Sequence, residues 1–184
     1  ACECFVLSGN IQSGLPANFY ADIIQLLKLK KRRVVLDTSG DALTESVKVK
    51  PNIIKPNIHE LSALVNKSLN GIESVYSSAV SLINEDTTVV VISMGKDGAL
   101  FVEKDQAFVA KPPEVTVKST VGAGDAMVAG LVAGLSKNMS LRDCARLATA
   151  FSLSIITRLG RDLPEMKVIN EFQKQVEITP VVVE

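Results

Sequence analysis

Val89-Val90-Val91-Ile92-Ser93 is a run of four β-branched apolar residues with nothing polar until its last position. A strand turns alternate side chains to opposite faces, so a run this uniform offers no face to water. Strands buried on both faces belong to parallel sheets covered by helices. Working outward, Phe5 to Ser8 reads as another buried strand, Val34-Val35-Leu36-Asp37 as a third and Ile53-Ile54-Lys55 as a fourth. Between them, Phe19 to Leu29 places Tyr20, Ile23, Ile24 and Leu27 on one helical face. Asn57 to Val65 and Ile72 to Ile83 keep the same period, with Asn57 as a cap. Beyond the central run, Ala99 to Val102 and Phe108 to Ala110 flank Glu103-Lys104-Asp105, the signature of a hairpin. Helices are expected at Ala123 to Lys137, Leu141 to Thr157 and Glu165 to Val176. This alternation predicts an α/β fold with a mostly parallel, doubly wound sheet in three layers, an antiparallel hairpin toward one edge, and residues 1–184 in a single domain.

Composition narrows the classes of function. Twenty basic residues balance 20 acidic ones, which argues against a general nucleic-acid binder or a polybasic membrane-surface protein. The basic cluster Lys28-Leu29-Lys30-Lys31-Arg32-Arg33 closes an amphipathic segment, where cations favour a helix C-terminus, and reads as a solvated helix end. Cys2, Cys4 and Cys144 are too few for a disulfide framework, and with His59 the only histidine there is no zinc spacing. Reduced thiols and a cytoplasmic setting are expected. No apolar run approaches a membrane span, and Ala1 to Gly9 lead directly into a strand as though the chain begins inside a fold.

In a doubly wound sheet, ligands bind beyond the C-terminal ends of the strands. Polar residues gather at those ends: Ser8-Gly9-Asn10, Asp37-Thr38-Ser39, Lys55-Pro56-Asn57 and Ser93-Met94-Gly95. Their convergence on one edge is expected. Asn57 and Glu60 stand three apart in a first helical turn, a spacing that favours a capping box and also serves water-mediated Mg²⁺ binding. His59 between them reads as a surface residue, and Gly95-Lys96-Asp97-Gly98 as a turn beside Ser93.

A fifth set, Ser119-Thr120-Val121-Gly122-Ala123-Gly124-Asp125, ends a β-rich stretch and opens a long helix of small residues. Two glycines bare the backbone where a helix begins, so its unpaired N–H groups can close on an anion. Asp125 stands in the first turn, where the macrodipole favours a carboxylate. An anion cradle beside an acid suits phosphoryl transfer to an alcohol; a tight turn with an early acid is the plainer alternative.

Taken together, these residues resemble the PfkB group of ribokinase-like carbohydrate kinases. Gly122-Ala123-Gly124-Asp125 is similar to the group's signature, Asn57-Ile58-His59-Glu60 to its Asn-x-x-Glu motif, and Ser93 to Ala99 to its nucleotide-binding strand and loop. Ser8 to Gly14 resembles the segment on the sugar-phosphate side. The resemblance implies ATP and Mg²⁺ as cofactors, Asp125 as catalytic base and substrate contact, and Gly122, Ala123 and Gly124 as anion hole. It further implies Lys55, Asn57, Ser93, Gly95, Lys96 and Gly98 at the nucleotide, Asn57 and Glu60 at Mg²⁺ through water, and Asn10 at the acceptor. A K⁺ site is implied at Ser119, Val121, Ile155, Arg158, Gly160 and Asp162, with Arg158 serving only through its carbonyl.

Ala110-Lys111-Pro112-Pro113 followed by Ser119-Thr120-Val121 most resembles the members that phosphorylate fructose 1-phosphate, with tagatose-6-phosphate and fructose-6-phosphate kinases as near kin. The partners implied are ATP and a sugar phosphate, with no nucleic acid and no membrane, and a homodimer of a longer parent. Two departures stand out. Asn10 and Gln12 replace the usual Ser and Pro, and the group's N-terminal strands, β-lid and basic residues have no counterpart here. Two other readings compete: a non-catalytic nucleotide-binding module, and a nucleoside or vitamin kinase on the same scaffold.

Overall fold

The computed structural model describes residues 2–159 and 164–182. It divides into two compact units, Ala1–Ile92 with Val102–Asp105, and Ser93–Phe101 with Gln106–Glu184.

In the first unit, strands β1 (Cys4–Ser8), β2 (Arg33–Asp37), β3 (Ile53–Ile54) and β4 (Val89–Ser93, whose last residue opens the second unit) lie side by side in that order. Every neighbouring pair is parallel, with Leu36 beside Ile54 and Ile54 beside Val90. Val34, Val35, Leu36, Ile53, Ile54 and the whole of Val89–Ile92 are buried, as their uniform apolarity requires. β1 departs from expectation. Among the described residues it pairs only with β2, and Val6 is 44% exposed, so it is an edge strand with one wet face rather than a buried one.

Helix α1 (Phe19–Leu29) runs between β1 and β2 and buries Ala21 and Ile24. Its basic end is not simply solvated: Lys28 Nζ donates to the Val49 and Lys50 carbonyls and pairs with Asp86 at 3.0 Å. Helix α2 (Gly40–Lys48) was not expected from the sequence; it packs on α1 and buries Ala42, Leu43 and Ser46. Helices α3 (Ile58–Val65) and α4 (Gly71–Val80) complete the connection from β3 to β4.

The second unit holds β5 (Ala99–Val102, whose last residue returns to the first unit), β6 (Ala107–Lys111) and β7 (Glu177–Pro180) in that order. β7, also unforeseen, runs antiparallel to β6 with Ala110 opposite Ile178. Helices α5 (Ala123–Ser136), α6 (Leu141–Ile156) and α7 (Met166–Gln175) pack beside them. The small residues of α5 have a packing reason. A Cβ at Gly130 would lie 2.7 Å from Ala148 Cα, and one at Gly134 would lie 2.7 Å from Cys144 Sγ. The two helices are therefore close enough that glycine alone fits at the crossing. Among the described residues, no helix is long and apolar enough to cross a membrane.

Candidate active-site residues

The polar strand ends of the first unit form a connected network. Gly9 N–H donates to the Asp37 carbonyl at 2.9 Å, and Thr38 Oγ1 donates back to the Gly9 carbonyl at 2.8 Å. Ser39 Oγ donates to Asn10 Oδ1 at 2.6 Å, and Tyr20 Oη to the Ser8 carbonyl at 3.1 Å. The loop after β1 is thereby fastened to the segment after β2, with Asn10 exposed at its end.

One register step beyond the Leu36–Ile54 pair, Asp37 meets Lys55, and their side chains form a salt bridge of 3.0 Å. The expected nucleotide contact Lys55 is thus a buried cation already paired at the strand end. Asn57 caps α3. Its Oδ1 accepts from the N–H groups of His59 and Glu60, both at 2.9 Å, while Glu60 Oε2 accepts from Asn57 N–H at 2.7 Å. The capping box is complete. His59 is exposed, as expected.

In the second unit, Ser93 leads into a short 3₁₀ turn, Gly95–Asp97. The turn is closed by Gly98 N–H donating to Gly95 and Met94 N–H donating to Gly98, at 3.1 and 2.8 Å. Gly95 adopts φ 63° and Lys96 is exposed. Gly98 is different in kind: it is buried with φ 89°, and a Cβ there would run into the Ala110 carbonyl oxygen. Its glycine is demanded by strand packing.

Gly122 is the N-cap of α5 in the left-handed conformation, φ 82°. That conformation, which glycine adopts without a side-chain penalty, turns the chain into the helix. Ala123 N–H is spent within the turn, donating to Thr120 at 3.2 Å, and Ala126 N–H makes the first helical bond, to the Gly122 carbonyl at 2.9 Å, so Gly124 comes too early in the helix for an intrahelical acceptor. The side chain of Asp125 lies in this first turn and is exposed.

The segment before this cradle rests on the C-terminal turn of α6. Lys118 and Ser119 N–H groups donate to the Ile156 carbonyl at 2.8 and 3.4 Å, and Val121 N–H donates to Ser119 Oγ at 3.3 Å. Ile155 sits nearby, its Cγ2 3.8 Å from where a Gly122 Cβ would be, while its carbonyl accepts from Arg158 N–H. Four of the six residues expected around a cation, Ser119, Val121, Ile155 and Arg158, therefore belong to one loop and helix end. Gly160 and Asp162 lie outside the described residues. Sequence reasoning assigned no role to Asp37 or Ser39. Both stand in the polar Asp37-Thr38-Ser39 set, but their partners Lys55 and Asn10 are set by strand register and loop path.

Residues 2–167 match the pfkB family carbohydrate kinase. The chain belongs to the pfkB family. This pfkB chain is 43% identical over 158 residues to the 1-phosphofructokinase of Rhodobacter capsulatus, covering 86% of the chain and 50% of that enzyme. To the 1-phosphofructokinase of Xanthomonas campestris it is 45% identical over 153 residues, covering 80% and 48%. It spans about half the length of the curated relatives it matches. Among solved structures, phosphofructokinase-2 from Escherichia coli in complex with potassium superposes with a TM-score of 0.87 at 31% identity, over 93% of this pfkB chain and 56% of the other. The tetrameric inhibited form of the same enzyme superposes with a TM-score of 0.85 at 30% identity, over 93% and 55%.

Proposed function

We propose that the whole protein transfers the γ-phosphoryl group of ATP to a hydroxyl of a sugar phosphate, with fructose 1-phosphate the preferred acceptor and fructose 1,6-bisphosphate the product. The observation that carries this reading is the α5 start, where a left-handed Gly122 opens a helix with Asp125 in its first turn, in a pfkB chain related to 1-phosphofructokinases.

Asp125 accepts the proton of the acceptor hydroxyl as that oxygen bonds to the γ-phosphorus and the bond to the ADP leaving oxygen breaks. The N–H of Gly124, aided by the helix dipole, stabilises the charge spread over the transferred group. Gly122 sets the angle at which it does so, and Ala123 holds the turn. Ser93, Gly95, Lys96 and Gly98 shape the nucleotide loop, Lys55 supplies a cation, and Asn10 faces the sugar phosphate.

Mg²⁺ fits the residues present only through water. Among the described residues, no three His, Cys, Asp or Glu side chains gather to cage a metal, and Glu60 spends one carboxylate oxygen on the capping box. Its Oε1 is the atom suited to a metal-bound water, with Asn57 beside it. When bound with ATP, the ion offsets phosphate charge. For K⁺, the Ser119–Val121 loop and the α6 end supply backbone oxygens, which suit a hard cation. The tetrameric relative makes a homo-oligomer the expected assembly, a dimer through a lid being the simplest form.

A substrate panel tests the proposal: fructose 1-phosphate, fructose 6-phosphate and tagatose 6-phosphate, with ATP and Mg²⁺, followed by ADP release from the whole protein. Fructose 1-phosphate should give the highest kcat/KM. A higher value for either of the others would move the assignment to that substrate, and ATP binding without turnover on any would leave a nucleotide-binding module.

A further inference from the structure

We propose that Ser39 is a positioning residue for Asn10: its hydroxyl holds the Asn10 carboxamide by its oxygen so that the NH₂ end is the one turned to a ligand, which suits an anionic phosphate. The inference rests on the reading of Asn10 as the contact for the acceptor's phosphate.

Ser39 occupies the N-cap of α2 with extended backbone, the place where a serine hydroxyl ordinarily accepts a hydrogen bond from the first helical turn. Here it makes no capping bond. Instead Ser39 Oγ donates to Asn10 Oδ1 at 2.6 Å, across 29 residues of sequence. An asparagine amide carries one acceptor oxygen and one NH₂ group, so a bond that occupies the oxygen leaves the two N–H donors for a ligand. A free asparagine could turn either end toward a ligand; this one is held to a single choice.

The surrounding bonds give the fixed amide a fixed platform. Gly9 with φ 92° turns the chain, and its N–H and carbonyl are both tied, to Asp37 and to Thr38. Tyr20 holds the Ser8 carbonyl just before it. The loop carries Gln12 rather than a proline, so these bonds supply the rigidity that a fixed φ would otherwise give. An amide held with its NH₂ end outward on a rigid loop favours phosphate oxygens, because hydrogen bonds to an anion are about twice as strong as neutral ones.

The test compares Ser39→Ala, Ser39→Thr, Asn10→Ala and the Asn10→Ala/Ser39→Ala double variant in the whole protein. Ser39→Ala should raise KM for fructose 1-phosphate about tenfold, as loss of an oriented charge-assisted bond does. KM for ATP and kcat should move less than about twofold, and Tm should hardly change, since no cap is lost. Ser39→Thr, which keeps the hydroxyl, should restore the wild-type KM. The double variant should be no worse than Asn10→Ala alone, because Ser39 acts through Asn10.

A second readout is independent of turnover: the side-chain NH₂ signals of Asn10, followed by ¹⁵N NMR while fructose 1-phosphate or inorganic phosphate is added. They should shift saturably in the wild type and in Ser39→Thr, and at about tenfold higher ligand in Ser39→Ala. If the wild type shows this shift yet phosphorylates no sugar phosphate, the kinase reading falls and the Ser39 role stands. An unchanged KM in Ser39→Ala, additive effects in the double variant, or Asn10 signals indifferent to both ligands would overturn the Ser39 role.

Discussion

Lys55 Nζ lies 3.0 Å from Asp37 Oδ1, with the two side chains only 6% and 16% exposed. The pair cross-links β2 to the end of β3 through charge, where the neighbouring rungs are apolar. Removing one member of a buried pair leaves the other uncompensated and costs about 3–5 kcal/mol, whereas replacing both by apolar groups is far less harmful. Asp37→Asn should therefore lower the urea midpoint more than the double variant Asp37→Leu/Lys55→Met. A double variant no more stable than Asp37→Asn would mean that the ion pair is not what holds these strand ends.

Two of the left-handed glycines of the second unit, Gly98 and Gly122, should separate by mechanism. At Gly98 a Cβ meets a backbone carbonyl as well as an unfavourable φ, so Gly98→Ala should destabilise by at least about 3 kcal/mol. At Gly122 the nearest atom to a Cβ is Ile155 Cγ2 at 3.8 Å, an ordinary contact, so Gly122→Ala should cost about 1–2 kcal/mol from φ alone. Its larger effect should fall on kcat, up to about 10²-fold, as the cradle tilts. Thermal melts and steady-state rates on both variants check this ordering.

Glu60 holds the Asn57 N–H in the α3 capping box, and an amide oxygen can do the same. Glu60→Gln should leave Tm nearly unchanged. Under the proposed metal role, it should raise the Mg²⁺ concentration needed for half-maximal rate. A Mg²⁺ titration identical to the wild type would leave Glu60 with capping alone.

Burial pushes the Cys4 thiol above its ordinary value of 9.0, with Arg33 opposing. The folded state thus favours the protonated thiol. That contribution is fully present below the ordinary pKa and is lost as pH rises through the higher folded value. Cys4→Ala should accordingly flatten part of the fall in Tm above about pH 9. Superimposable pH–Tm curves for variant and wild type would contradict it.

Much of this fold is legible because burial leaves simple signatures. Val89–Ile92 has no polar face to offer, and the α1 stripe of Tyr20, Ile23, Ile24 and Leu27 is half-buried to buried, with Ala21 buried beside it. The Asn57–Glu60 spacing announces a capping box that the structure completes. Helix α2 stays hidden because it opens on glycine, contains Thr, Ser and Val, and owes its place to packing on α1. Strand β7 is four residues long, mostly exposed and ends in Pro180, so only its pairing with β6 defines it. Of the site residues, those marked by glycines and caps are visible in one dimension. Asp37 and Ser39 are not, because their partners lie 18 and 29 residues away and are chosen by register and loop path.

The kinase reading stands or falls on Asp125. Asp125→Asn preserves size and hydrogen bonding while removing proton affinity. Loss of a general base typically costs about 10²–10⁴ in rate. The decisive measurement is kcat for fructose 1-phosphate phosphorylation by the wild-type and Asp125→Asn whole protein, with ATP affinity measured alongside. The account predicts a kcat lower by at least about 10² with ATP binding largely retained; a variant within a few-fold of wild type would contradict it and leave Asp125 as no more than a helix-start residue.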